Sequence, residues 1–78
     1  MSKTREAIEK LSNKSRETLE AHSALIAIGT ERGDESFRTE HAKTIRGYLK
    51  CLLDLEIITR SDLQALYLYY FTNGNKFR

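Results

Sequence analysis

Residues Ile45 to Phe71 read IRGYLKCLLDLEIITRSDLQALYLYYF, and this stretch decides the fold. It gathers most of the large apolar residues and is broken once, at the polar turn Thr59-Arg60-Ser61-Asp62. Before the turn, Phe37, His41, Ile45, Tyr48, Leu49, Leu52 and Leu55 fall on one helical face. Glu40, Lys43, Arg46, Gly47, Lys50 and Asp54 fall on the opposite face. That separation predicts a helix over about 35–55. Ile57 and Ile58 are expected to plug the end of the core. After the turn, Thr59 suits the N-cap and Asp62 the capping-box position, where the helix macrodipole favours an acid. A helix over 60–72 follows, stopping at Asn73-Gly74, with a frayed tail over 73–78. ALYLYYF also has a strand-like composition. The cap before it, and the lack of a second strand to pair with, decide for helix.

Working back from this hairpin, Gly33-Asp34 reads as a stop and a start. Glycine suits the left-handed position after a helix, and aspartate suits an N-cap. So short a link makes the helices on either side antiparallel. The first is expected over 3–32, with Ser2 or Thr4 as its cap. At 100° per residue, Ala7, Ile8, Leu11, Ser15, Leu19, His22, Leu25 and Ile26 share an arc of about 120°. Arg5–Glu9, Glu6–Lys10 and Arg16–Glu20 are spaced for i,i+4 pairing. With no proline to break these runs, the expected fold is all-α: one domain over 1–78, a long antiparallel helical hairpin with a shorter third helix packed against it.

A chain of 78 residues buries only about 60–65% of its unfolded surface. Its single cysteine, Cys51, excludes an internal disulfide. The 13 basic and 11 acidic residues leave a net charge of +2, with both signs mixed along the whole chain. A nucleic-acid binder usually carries a stronger basic stripe. The charged start MSKTREAIEKL has no apolar signal region, and no run is long enough to span a membrane. Together with the free thiol, these features point to the cytosol.

The helix over 60–72 is apolar on most sides, and a three-helix domain this small cannot cover all of it. The surplus implies a partner. Tyr48, Leu52, Leu53, Leu66, Tyr67, Leu68, Tyr69 and Tyr70 are the expected contact residues, aromatic side chains being common interface anchors. A homodimer is favoured, closed two-fold dimers being the commonest assembly. Gly47, costly inside a helix, suggests close approach of another backbone. A second candidate surface is the helix stripe Lys43, Arg46 and Lys50 with Arg60, which could contact phosphates. Glu40 and Asp54 on the same stripe partly neutralise it. The hairpin has the outline of a DNA-binding helix-turn-helix, but LYLYYF makes a poor reader of base edges.

Other chemistry finds little support. His22 and His41 face each other across the antiparallel pair, yet no HxxxH or CxxC spacing exists and Cys51 lies off the core face. No phosphate loop, carboxylate pair or nucleophile–base spacing points to catalysis. No cofactor, metal or catalytic residue is therefore assigned. LLDLEIITRSDLQAL is similar in outline to the oligomerising hairpin called SHOCT, with Glu56 where that hairpin usually has glycine. The resemblance implies association and no more. The expected function is a non-enzymatic protein-interaction or regulatory module, with a nucleic-acid-binding regulator as the alternative.

Overall fold

The computed structural model describes residues 2–78, and among them it contains only helices and turns. The helices are α1 (Lys3–Glu9), α2 (Asn13–Arg32), α3 (Glu35–Asp54) and α4 (Arg60–Thr72), followed by a 3-10 turn over Gly74–Phe77.

The α2–α3 hairpin is the frame. Gly33 has φ +69°, the left-handed conformation that ends α2, and the Asp34 carboxylate accepts the Phe37 N–H to start α3. Two cross-links fix the register: Ser15 Oγ lies 2.9 Å from Tyr48 Oη, and His22 Nδ1 lies 2.9 Å from His41 Nδ1. Numbers that rise on one helix fall on the other, so the pair is antiparallel. Leu19 and Ile26 from α2 meet Ile45 and Leu49 from α3, and Leu66 and Tyr70 from α4 close the core. Truncating one of the buried leucines or isoleucines to alanine would cost about 2–5 kcal/mol.

The expected helix over 3–32 is two helices. Ser12 adopts an extended conformation (φ −68°, ψ 163°), and its hydroxyl accepts the Ser15 N–H, which makes it the N-cap of α2. The apolar period Ala7, Leu11, Ser15, Leu19 runs through this junction and hides it. The break turns α1 away from α2 and lays it along α4. None of the three i,i+4 pairs expected on the longer helix closes into an ion pair. Instead Lys10 Nζ reaches the Asp62 carboxylate at 2.6 Å, and Lys3 Nζ reaches it at 3.6 Å.

Asp62 is thereby the junction of two helices. Its carboxylate accepts the Thr59 N–H, while the Thr59 hydroxyl accepts the Asp62 N–H, so the expected capping box is present. Burial alone would push this carboxyl up. Hydrogen bonds from Lys10 and Thr59, together with the Lys10 charge, outweigh burial and hold it at about 2.

The α3–α4 turn differs from expectation at two apolar residues. Leu55 is the C-cap of α3 and Glu56 follows with φ +61°, so the chain swings outward. Leu55 is left 65% exposed and Ile57 44% exposed, and Ile58 alone plugs the core. Glu56 thus holds the left-handed conformation that glycine adopts most easily.

The expected frayed tail is also ordered. Gly74–Phe77 packs on α2, with Gly74 buried. A Cβ on Gly74 would collide with the Ser23 carbonyl oxygen and come within 2.9 Å of Ala27 Cβ. The Phe77 ring lies 6.0 Å from Tyr70 and 6.3 Å from Tyr69. Beneath it, the Ser23 hydroxyl donates to the Tyr70 carbonyl, tying α2 to α4.

Two outcomes follow from these contacts. Gly74→Ala should lift the 3-10 turn off α2 and destabilise the fold by about 2 kcal/mol. An unchanged urea midpoint would show that the turn is not docked. The second concerns pH. Because the folded pKa of Asp62 lies below its unfolded value of 3.8, its contribution is fully present at neutral pH. It is lost as pH falls through that value toward about 2. Asp62→Asn should cost on the order of 2 kcal/mol at pH 7, with the gap to wild type narrowing below pH 4. A gap that stays constant across a pH series of urea titrations would refute the assignment.

Candidate interaction groove

The eight residues expected to meet a partner divide into three groups. Leu52, Leu66 and Tyr70 are core residues, 8%, 0% and 1% exposed, so the expectation that they form an interface is corrected. Leu52 belongs to the buried face of α3, and Leu66 and Tyr70 are covered on α4, which packs against α1, α2 and α3. Burial, the nearby Glu20 charge and Tyr69 push the Tyr70 phenol up to about 12, keeping it neutral. Tyr48 and Tyr69 are half-buried and already engaged. Tyr48 bonds Ser15 across the α2–α3 seam. Tyr69 packs beside Tyr70 and Phe77, with Lys76 Nζ 5.4 Å from its ring centroid. Only Leu53, Tyr67 and Leu68 remain available.

Leu53 and Tyr67 line a groove of about 500 Å³ between α3 and α4, together with Leu63. Its rim carries Arg46, Lys50, Asp54, Arg60 and Gln64. The groove exists because each helix turns one stripe toward it: 46, 50, 53 and 54 on α3, and 60, 63, 64 and 67 on α4. Three of the four cations proposed as phosphate contacts therefore converge. Lys43, the fourth, lies apart, in a shallow polar depression with Glu35, Ser36, Thr39 and Glu40. Among the described residues the ion pairs join Lys3 and Lys10 to Asp62 and Arg78 to Glu31, so Arg46, Lys50 and Arg60 have no carboxylate within 4.0 Å. Leu68 is 64% exposed on α4 but does not line the groove.

A second groove, of about 490 Å³, lies between α2, the end of α4 and the 3-10 turn. Its two cations are both engaged within the chain, the Arg38 guanidinium 5.9 Å over the Phe71 ring and Arg78 bonded to Glu31. Gly47 is exposed on α3 with open space around it, so it marks no close backbone approach within the chain.

Cys51 is exposed, and no cluster of three or more His, Cys, Asp or Glu side chains forms among the described residues. His22 and His41 do come together, their ring centroids 5.2 Å apart, with Phe37 against His41. At 2.9 Å between the two Nδ1 atoms, one ring must donate and the other accept. Burial, and then the neighbouring His41, push the pKa of His22 below its ordinary 6.5. Leu63 and Gln64 complete the groove without being expected as site residues, and Asp54, expected only to neutralise the basic stripe, joins its rim. The signal for them was i,i+4,i+7 spacing on both sides of one hairpin turn.

No helix among the described residues is long and apolar enough to cross a membrane. Comparison of the chain with protein-family models, with curated proteins and with solved structures finds no match, and the SHOCT resemblance gains no support from it.

The histidine pair gives a signed pH dependence. With the folded pKa of His22 lowered, the unfolded chain binds more protons below 6.5. Stability therefore falls as pH drops through that value and levels off below the folded pKa. His22→Leu should flatten this decline between about pH 7 and 5, where histidine titrates. Parallel pH profiles for variant and wild type would contradict the assignment.

Proposed function

We propose that this protein is a non-enzymatic interaction module that docks another protein through the α3–α4 groove. One observation carries the reading: after the core is filled, Leu53, Leu63 and Tyr67 still line a concave surface between two rigid helices. Concave apolar surfaces with a polar rim are where anchors from a partner seat. The groups with displaced acidity support a binding role over catalysis. Asp62 is locked between lysines, Tyr70 is sealed in the core, and His22 sits on the α2–α3 seam. None of them lines the groove.

Self-association is the second reading, supported by the exposure of Leu55, Ile57 and Leu68 outside the groove. The nucleic-acid alternative draws only on Arg46, Lys50 and Arg60, with Asp54 beside them and an apolar floor between.

Site-specific photocrosslinking in the native host tests the reading. A photoreactive side chain at Gln64, on the groove rim, should give one discrete heavier adduct. The same group at Glu17, exposed on α2, should give none. Equal adducts at both positions, or none at Gln64, would contradict the docking face. An adduct of twice the chain mass at Gln64 would mean the groove serves self-association.

A further inference from the structure

Building on the groove as docking face, we infer that its occupant is an acidic amphipathic helix from another protein. Three features of the groove converge on this class of partner. The first is length. The α3 stripe runs from Arg46 to Asp54 and the α4 stripe from Arg60 to Tyr67, each about two helical turns, or roughly 11 Å. An incoming helix that presents apolar residues at i, i+3 or i+4, and i+7 covers that length with its anchors.

The second is floor chemistry. Leu53, Leu63 and Tyr67 are half-buried, so covering them releases water from surface the chain itself leaves wet. Nucleic acid supplies phosphates for the rim and a base that stacks on Tyr67, but little that would cover Leu53 and Leu63, and its affinity comes chiefly from many phosphate contacts.

The third feature is charge. Arg46, Lys50 and Arg60 against Asp54 leave the rim at +2, and the three cations have no ion-pair partner of their own. A neutral or basic helix would crowd these charges without compensating them, whereas glutamate or aspartate beside the apolar stripe would pair with them. The same charge disfavours a second copy. A two-fold interface places the same patch on both sides, so +2 from each groove would meet as +4.

A randomised helical peptide library, panned against the full chain, tests this directly. Selected peptides should carry leucine, isoleucine or phenylalanine at i, i+4, i+7 spacing with glutamate or aspartate alongside. The strongest, made synthetically, should shift the amide resonances of Leu53, Leu63, Gln64 and Tyr67 in the isotope-labelled protein. Arg46→Glu combined with Lys50→Glu should weaken it roughly ten-fold. Both residues are exposed, so the circular-dichroism melt should be unchanged.

Neutral or basic peptides that map to the groove and ignore the charge reversal would overturn the acidic partner while leaving the groove as the docking face. Peptides that map elsewhere, or no selected peptide at all, would overturn both. A short DNA duplex that shifts the groove resonances more strongly than any peptide, with steep salt dependence, would replace the partner by nucleic acid. Groove resonances that shift on dilution of the protein alone would replace it by a second copy.

Discussion

The Asp62 carboxylate is the constraint on which the rest of the structure depends. It caps α4 through Thr59 and holds Lys10, and more loosely Lys3, against the start of that helix. A carboxylate this buried is tolerated because Oδ2 accepts from Lys10 and the Thr59 N–H, Lys3 stands 3.6 Å from Oδ1, and the α4 macrodipole favours negative charge there. Without it, α1 would lose its polar tie to α4. One flank of α4 would then be open, and Ala7 and Leu11 would lose the shelter that leaves them 0% and 3% exposed.

The other flank is held by a second tie. Ser23 donates to the Tyr70 carbonyl from α2, and the Gly74–Phe77 turn settles over the same place because Gly74 has no side chain to keep it off. Two modest local devices, a serine cap that breaks the first helix and a glycine that lets the tail return, thus cover most of an aromatic helix. They also decide where function can reside. With Leu66 and Tyr70 inside and Tyr69 half-covered, the concave apolar surface beside α4 is the groove it forms with α3, while Leu55, Ile57 and Leu68 are exposed outside it.

Much of this was legible in the sequence, and the failures have physical causes. The α3 face, the Gly33-Asp34 reversal and the Thr59–Asp62 capping box rest on local chemistry that acts within a few residues, and all three are present. The break at Ser12 was hidden because the apolar period continues through it: Leu11 stays buried on either reading. Glu56 concealed the outward swing of Leu55 and Ile57, since a non-glycine residue in the left-handed region carries little sequence signal. The docking of the tail was unreadable locally. It depends on Gly74 meeting Ser23 and Ala27 across the fold, a contact no spacing rule encodes. The misses at Ser12 and at the tail led to an overestimate of exposed apolar surface on α4, whereas the miss at Glu56 hid the exposure of Leu55 and Ile57. Of the proposed sites, the basic stripe was largely legible: Arg46, Lys50 and Arg60 share one rim, while Lys43, a turn earlier on α3, lines a separate depression.

Taken together, these contacts describe a chain that covers most of its own aromatic helix and leaves one cationic, apolar-floored groove, the face we propose for docking. The absolute mass in solution, measured by light scattering over a wide concentration range, tests that claim most directly. The account predicts the 9.0 kDa of a single chain throughout. A stable dimer at low concentration would contradict it, because the apolar surface of α4 would then be completed by a second copy and not by the chain's own α1 and 3-10 turn.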